Sequence, residues 1–121
     1  MFYTNLSDYL KNLEFKKRNN YWYKYFDGVA LCVNYQKSQW DCCDYYINIG
    51  FAYFNEKNKF PTYLHWFAQH RCIGKKGDTN IAFEEFLQEM ANISSLNTEE
   101  KIVEYLEKNK ICVMPNSIYI F

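Results

Sequence analysis

The sequence has few glycines and prolines, and no feature of it indicates a nucleic-acid or membrane partner. Its 121 residues include only four glycines and two prolines. No stretch approaches the ~20 consecutive apolar residues that span a bilayer, and the first residues lack the apolar core of a signal peptide. Fourteen basic residues balance fourteen acidic ones, so the overall charge attracts neither nucleic acid nor an anionic membrane. We therefore expect a cytoplasmic protein with no nucleic-acid or membrane partner.

Metal ligands in a familiar spacing are also lacking. The five cysteines are odd in number, and in an intracellular protein we interpret them as free thiols. Cys42 and Cys43 are adjacent, whereas zinc sites favour spaced cysteine pairs with a second pair elsewhere. His65 and His70 are separated by an odd number of positions and therefore point to opposite faces of a strand. The sequence predicts no metal site and no cofactor.

Aromatic residues, in contrast, are abundant. The chain is 49% hydrophobic and 21% aromatic, with twelve Tyr, ten Phe and three Trp. Disordered chains have few aromatics and a high net charge, so this composition indicates a folded protein. A chain of this length buries roughly two thirds of the surface that it exposes when unfolded. We expect a single domain, 1–121, with one core.

Apolar spacing predicts a helix, a run of strands and then two helices. Apolar residues of the first segment recur on one helical face, and this helix is expected to end near Glu14, before a turn over 16–20. Asp27 and Gly28 form a two-residue hairpin signal between two strands. The predicted strands are 20–26, 29–36, 44–54 and 63–73, with a final edge strand at 117–121. The second helix is predicted to have its N-cap within 78–80 and to end near Asn92, and the third helix is predicted over roughly 98–109.

A block of strands followed by a block of helices is typical of an α+β fold. We predict a four- to five-stranded antiparallel sheet, with the N-terminal helix and the two C-terminal helices on one face. Asn97 and Glu100 have the spacing of a capping box at the start of the last helix.

Three short strings along the predicted strands resemble a known family. They are Tyr35-Gln36-Lys37-Ser38-Gln39-Trp40, Tyr46-Ile47-Asn48-Ile49-Gly50 and His70-Arg71-Cys72-Ile73-Gly74. A strand ending in Q-K-S-x-W, a strand with I-N-[IL]-G and a later R-x-G-like string are similar to the domain of unknown function 4304 (DUF4304) family, over roughly residues 4–76. The resemblance implies an α+β domain with no assigned chemistry. The position of some members beside toxin genes implies an immunity or binding role.

Polar side chains lie at unexpected places within the strands. If strands 29–36 and 45–54 pair antiparallel, Asn34, Gln36 and Asn48 can share one face, and Gln69 and Arg71 on the fourth strand could join them. Unpaired buried amides cost about 1–3 kcal/mol each, so these groups must be hydrogen-bonded or exposed. They either fix the strand register, or they line a concave polar-aromatic groove for a peptide or small ligand.

Two functional hypotheses follow. The first is a non-enzymatic protein-binding module, with a toxin or a second copy of the chain as partner, because Trp22, Trp40, Trp66 and the tyrosines of 21–25 have the character of contact residues. The second is an enzyme or a small-molecule or anion-binding domain, in which Arg71 holds an anion. Single-stranded RNA stacked on the aromatic sheet is a third, minor option.

We expect binding rather than catalysis, and no catalytic residue is assigned. A cysteine–histidine nucleophilic pair has no support in the spacing of these residues. The candidate binding residues are Gln36, Lys37, Ser38, Trp40, Asn48, Trp66 and Arg71.

Overall fold

A computed structural model of the chain describes residues 2–26, 28–37, 45–54, 60–74, 79–109, 112–113 and 119–120. It has an α+β fold, as predicted. The elements in chain order are α1 (Phe2–Asn12), β1 (Lys16–Arg18), β2 (Tyr21–Phe26), β3 (Val29–Lys37), β4 (Tyr45–Tyr53), a 3₁₀ turn (Tyr63–His65), β5 (Trp66–Gly74), α2 (Thr79–Ile93), α3 (Glu99–Asn109), β6 (Cys112–Val113) and β7 (Tyr119–Ile120). None of the described helices is long and apolar enough to cross a membrane.

The strands form one sheet in the order β1-β2-β3-β4-β5-β7-β6. Neighbours from β1 to β5 are antiparallel, which confirms the predicted antiparallel sheet of four to five strands, although β1 was not among the predicted strands. β7 adds parallel to β5, and β6 pairs with the far side of β7. Of the last predicted strand, 117–121, residues 117, 118 and 121 lie outside the described residues, and 119–120 form β7, which lies inside the sheet rather than at its edge.

Strict alternation along the central strands divides the sheet into two faces. Odd-numbered positions of β3 and β4 face the helices, and even-numbered positions face away from them. All three helices contribute to the same core, so they cover one face, as predicted. This core is formed by buried residues of both layers: Leu6, Leu10, Phe15, Trp22, Val29, Leu31, Val33, Tyr45, Ile47, Ile49, Phe51, Ala68, Cys72, Ala82, Phe86, Met90, Ile93, Leu96, Ile102 and Leu106.

The turn predicted over 16–20 is wrong, because β1 occupies its first three residues. α1 ends in a Schellman motif: the N–H of Phe15 donates to the carbonyl of Leu10 at 3.0 Å and that of Glu14 donates to Lys11 at 2.9 Å. Glu14 takes the left-handed φ of 67° that this motif needs. After Glu14 the chain enters β1, which pairs with β2. The turn between these two strands consists only of Asn19 and Asn20.

The start of α3 also differs from the predicted capping box. The Thr98 hydroxyl, not the Asn97 amide, accepts the helix N-terminal bond, from the Lys101 N–H at 3.2 Å. Asn97 instead accepts a bond from the Lys101 ammonium at 3.1 Å. Thr98 therefore caps α3.

The segment predicted as strand 63–73 begins as a 3₁₀ turn and contains an irregularity. Pairing of β5 with β4 shifts between Phe51 and Ala52, so that Phe51 faces Ala68 and Ala52 faces Trp66. The extra residue, Phe67, has no partner in the register, which is typical of a β-bulge. This bulge explains the untidy alternation of the sequence and turns Trp66 to the face opposite the helices.

Candidate functional site

The face of the sheet that turns away from the helices carries a polar cluster. In the register, Asn34 lies opposite Asn48, and Asn48 lies opposite Arg71. Gln36 is two residues beyond Asn34 on the same face. The shared face predicted for these side chains is confirmed. We call this surface the open face.

Hydrogen bonds connect the cluster into one network. The Asn48 amide donates to Asn34 Oδ1 at 3.0 Å and to Gln36 Oε1 at 3.2 Å. The Asn34 amide in turn donates to the main-chain carbonyl of Asn20 at 3.3 Å. Asn34 and Asn48 are only 6% and 4% exposed. The network therefore removes the penalty of burying these amides and also fixes the strand register.

Arg71 is the charged member of the network. Its Nε donates to Asn48 Oδ1 at 2.9 Å and its Nη2 donates to Gln36 Oε1 at 3.3 Å. Its guanidinium carbon lies 4.3 Å from the centre of the Tyr46 ring, a cation–π distance. No carboxylate among the described residues forms an ion pair with it. Neutral amides thus hold the guanidinium in place and leave its charge and its remaining N–H groups available to a ligand.

Beside Arg71 the open face forms a groove with a volume of about 610 Å³. It is lined by Asn20, Tyr21, Asn34, Gln36, Asn48, Tyr63, Trp66, Gln69 and Arg71. The 3₁₀ turn is tied to the sheet where the Tyr63 N–H donates to the Tyr21 hydroxyl at 3.4 Å. Tyr63 is 59% exposed and stands at the rim of the groove. We call this cavity the Arg71 groove.

Trp66 forms part of the floor rather than an exposed contact. It is 3% exposed and lies against Gly50, where a Cβ would come within 2.0 Å of its Cε3 atom. Trp22, also expected as a contact residue, is 1% exposed and packs in the core under the helices. The expectation that these aromatic residues are exposed contacts is wrong for both tryptophans and for Tyr23, which is 2% exposed. Large exposed aromatics near the groove are Phe60 and Tyr63.

The predicted binding residues are only partly brought together. Gln36, Asn48, Trp66 and Arg71 line the Arg71 groove. Lys37 ends β3 on the opposite face by alternation and does not reach it. Ser38 and Trp40, like Cys42 and Cys43, lie outside the described residues.

Two groove residues, Asn20 and Tyr63, were not predicted from the sequence, and Tyr21 was predicted as a contact residue but not assigned to this face. Asn20 and Tyr63 come from turns, where no periodicity indicates a direction. Tyr21 was visible as the first residue of an aromatic strand, but its face depends on the register with β3. Gly50 was visible in the Ile-Asn-Ile-Gly string, although its role becomes clear only beside Trp66.

Charge is unevenly distributed between the two layers. Strands β1 to β5 contain no Asp or Glu. They carry Lys16, Lys17, Arg18, Lys24, Lys37 and Arg71. The three helices carry Asp8, Glu84, Glu85, Glu89, Glu99, Glu100, Glu104 and Glu107 against Lys11, Lys101 and Lys108. A chain of zero net charge is therefore cationic in its sheet and anionic in its helices.

A second group of polar residues lies on the helix side, between β5 and α2. His70, Cys72 and Glu85 bring a ring nitrogen, a sulfur and a carboxylate oxygen within 4.8 Å of one another. Burial and the nearby carboxylates of Glu85 and Glu89 raise the pKa of the Cys72 thiol to about 12. His65, by contrast, is exposed in the 3₁₀ turn, where its Nδ1 accepts the Thr62 N–H at 3.0 Å.

His65 and His70 therefore share no site, as expected. His70 lies close to Cys72 instead. The sequence carried a signal for this pair, since His70 and Cys72 are two residues apart and share a strand face. Glu85 could not be added without knowing how α2 crosses β5.

Comparison with known proteins gives one match. A family model described as "Domain of unknown function (DUF4304)" matches residues 6–108. The chain belongs to this family. The match runs through α2 and α3, beyond the 4–76 that the short strings indicated, and it includes all the described residues of the Arg71 groove. No curated protein and no solved structure shows a significant match.

Proposed function

We propose that this chain is a non-enzymatic binding domain, and that its open face binds a carboxylate-bearing segment of a partner protein. The observation that carries the proposal is the Arg71 guanidinium, which is held by the neutral amides of Asn48 and Gln36 and faces a groove. An arginine fork pairs with a carboxylate through two parallel hydrogen bonds. The ligand carboxylate would supply the counter-charge.

Electrostatics of the sheet support an acidic partner. By alternation, Lys16 and Arg18 of β1 lie on the same face as Arg71, and the described strands offer no acidic side chain to compensate them. An acidic segment would therefore meet a complementary field along the sheet, which favours encounter and orientation.

An aromatic row extends the groove toward β1. The rings of Tyr21, Tyr23 and Tyr25 stack along β2 with centroids 6.0 Å apart. Beside the row, Arg18 lies over Phe60 at 4.4 Å. Tyrosine and arginine dominate the binding energy of many protein interfaces. Tyr23 itself is 2% exposed, so a partner would contact the half-buried Tyr21 and Tyr25 and the exposed Phe60. These rings lie beyond the groove and favour a peptide segment over a ligand confined to it.

Binding is favoured over catalysis by the chemistry of the lining. The described lining residues are amides, aromatics and one arginine. This set offers anion recognition and stacking, but it contains neither a histidine or carboxylate suited to acid–base work near pH 7 nor a thiol nucleophile. A toxin that presents an acidic segment would be one partner of this kind.

A small anionic ligand is the second candidate. The groove volume of about 610 Å³ falls within the roughly 300–1,000 Å³ of small-molecule sites. In this case, Arg71 would hold a free carboxylate or phosphate, and the aromatic row beyond the groove would not take part.

NMR titration of the isotope-labelled protein distinguishes these ligands. The side-chain amide signals of Gln36, Asn48 and Gln69 and the Nε–H signal of Arg71 report directly on the groove. The probes are an extended peptide with glutamates at alternate positions, the same peptide with glutamines, glutarate and inorganic phosphate. We expect saturable shifts of these signals with the glutamate peptide, and weaker effects of glutarate and phosphate.

Variants assign the effect to Arg71. Arg71→Met, and Asn48→Asp, which places an internal carboxylate beside the guanidinium, should each abolish the shifts. Lys108→Met removes one positive charge from the exposed surface of α3 and should leave them unchanged. Equal shifts with the glutamine peptide would reject carboxylate recognition. Tighter binding of glutarate or phosphate than of the glutamate peptide would favour the small-ligand candidate.

A further inference from the structure

We propose that His70, Cys72 and Glu85 form a binding site for a divalent transition metal, with zinc as the best match. The site lies on the helix side of the sheet, opposite the Arg71 groove. It would tie the first half of α2 to β5. Because the two sites use different residues and different faces, a failure of one proposal leaves the other standing.

Backbone geometry places the three ligands together. Alternation puts His70 and Cys72 on the same face of β5, and α2 brings Glu85 over them from the second layer. His70 Nε2 lies 3.5 Å from Glu85 Oε1, and the three ligand atoms lie within 4.8 Å of one another. Two of the ligands come from one strand and the third comes from the helix that packs on it.

The spacing needs only a small contraction to hold an ion. Zinc bonds of about 2.0–2.3 Å in a tetrahedron place ligand atoms roughly 3.5 Å apart. The Glu85 side chain is 47% exposed, so its carboxylate has room to move inward. Cys72 is fully buried and the His70 side chain is 18% exposed, so these two ligands form the fixed part of the site.

Donor chemistry and charge both suit zinc. An imidazole, a thiolate and a carboxylate are the three side-chain ligand types that zinc accepts, and hard cations such as Ca²⁺ or Mg²⁺ avoid the sulfur. Glu89, one turn after Glu85, adds a second carboxylate, which is oriented by the Tyr105 hydroxyl at 2.8 Å. A divalent cation would meet this negative charge at the layer boundary.

Three protein ligands leave one position of a tetrahedron open. Glu85 is the exposed ligand of the three, and water would complete the coordination.

The test is a metal titration of the full chain, purified without a histidine tag, reduced and freed of metal with a chelator. Zinc binding is measured by calorimetry, and cobalt binding by absorption. We expect one ion per chain, a thiolate-to-cobalt charge-transfer band, and a metal-dependent rise in the thermal unfolding midpoint. Calcium and magnesium should produce none of these changes.

Substitutions locate the ion. Cys72→Ala should remove the charge-transfer band, and Glu85→Gln should weaken zinc binding by at least about tenfold. Glu84→Gln, at an exposed neighbour on α2, should bind zinc as the parent does. A chain with Cys42, Cys43 and Cys112 replaced by serine should also retain the site, which excludes these three thiols, while Cys32 lies on the opposite face of the sheet.

Two outcomes would overturn the proposal. One is the absence of saturable one-to-one binding of zinc or cobalt. The other is binding that remains unchanged in both Cys72→Ala and Glu85→Gln. Because Glu85 is exposed, its variant is expected to fold even if Cys72→Ala does not, and its affinity alone decides the question.

Discussion

At Gly50 the lack of a side chain gives the open face its shape. The Trp66 ring occupies the space that a Cβ would need, so the indole lies flat on β4 and forms the groove floor. The Asn48 network and Arg71 lie on the neighbouring positions of the same strands. The absence of a side chain at Gly50 therefore allows the Trp66 ring to lie beside the polar network in the Arg71 groove.

Gly50→Ala is expected to destabilise the fold by about 1–3 kcal/mol, because the methyl group overlaps the buried Trp66 ring and forces it off the sheet. Urea denaturation measures this change. In a Trp66→Leu background the cost of Gly50→Ala should fall below half of that value, because the ring is gone. Equal costs in both backgrounds would show that the two residues do not compete for space.

Buried thiols and phenols make stability depend on pH. Burial raises the pKa of Cys32 above its ordinary 9.0, and burial together with the Glu89 hydrogen bond raises the pKa of Tyr105 from 10.0 to about 12. The Cys32 thiol and the Tyr105 phenol stay protonated to a higher pH in the folded state than in the unfolded state. Their contribution to stability is therefore complete below about pH 9 and is lost as the pH rises toward about 12. The free energy of unfolding should therefore decline over this range.

Cys32→Ala tests the thiol's share of that decline. Near pH 9 to 10, where an unfolded thiol ionises before most tyrosines, the variant should lose less stability per pH unit than the parent. The measurement is the urea unfolding free energy at intervals from pH 7 to 11. Identical slopes for parent and variant would assign the decline to other groups.

Among the elements, α1 ends in a motif whose key position is occupied by a residue that rarely adopts the required backbone conformation. Its Schellman motif requires a left-handed residue, which is usually glycine, but the position holds Glu14 with φ 67°. The sharp reversal places Phe15 in the core and starts β1 directly afterwards. A less favourable residue thus sets the route of the chain from helix to sheet.

Glu14→Gly is expected to stabilise the protein by up to about 1 kcal/mol. A non-glycine residue pays roughly 1–2 kcal/mol in the left-handed region, and the added freedom of glycine in the unfolded chain offsets part of that gain. Glu14→Ala keeps a Cβ and should give no comparable increase. Thermal or urea unfolding of the three chains checks the order, and a gain in the alanine variant would point to charge instead.

How far the sequence predicts these elements depends on how regular each one is. The three helices and strands β2 to β4 have clear apolar periods, and their positions agree with the prediction within a few residues. β1 consists of three charged residues and carries no apolar signal. The bulge in β5 breaks the alternation, and the two-residue strands β6 and β7 are held by tertiary pairing rather than by local preference.

The same distinction applies to the site. Alternation placed Asn34 and Gln36 on one face of β3, and Asn48 joins them because the register sets it opposite Asn34. The turn residues Asn20 and Tyr63, and the crossing of α2 over His70, depend on the three-dimensional path of the chain. These parts of the two sites could not be derived from local patterns.

For the molecule as a whole, separation of charge matters more than the net charge of zero. Cations concentrate in the sheet and carboxylates concentrate in the helices, so the two layers present opposite fields. Such fields act over a distance of about 10 Å at 0.1 M salt. A uniform surface of zero net charge would not orient the protein toward a charged partner.

We expect this asymmetry to appear in ion-exchange chromatography. At pH 7 and low salt the protein should be retained on a sulfonate resin despite its zero net charge, and moderate salt should release it. Replacing Lys16 and Arg18 with glutamine should reduce the salt needed for elution. Replacing Lys101 and Lys108 of α3 changes the net charge equally and should alter elution less, since they lie in the anionic layer. Equal effects would indicate that net charge decides retention.

β1 also forms one edge of the sheet, where another chain could pair with its backbone. The outer side of a border strand offers unpaired N–H and C=O groups, to which another chain can add and start a fibre. Here that strand is three residues long, and each of its residues carries a positive charge. A second molecule that approached β1 with its own β1 would bring the same three charges against them, so edge-to-edge pairing of two β1 strands is disfavoured.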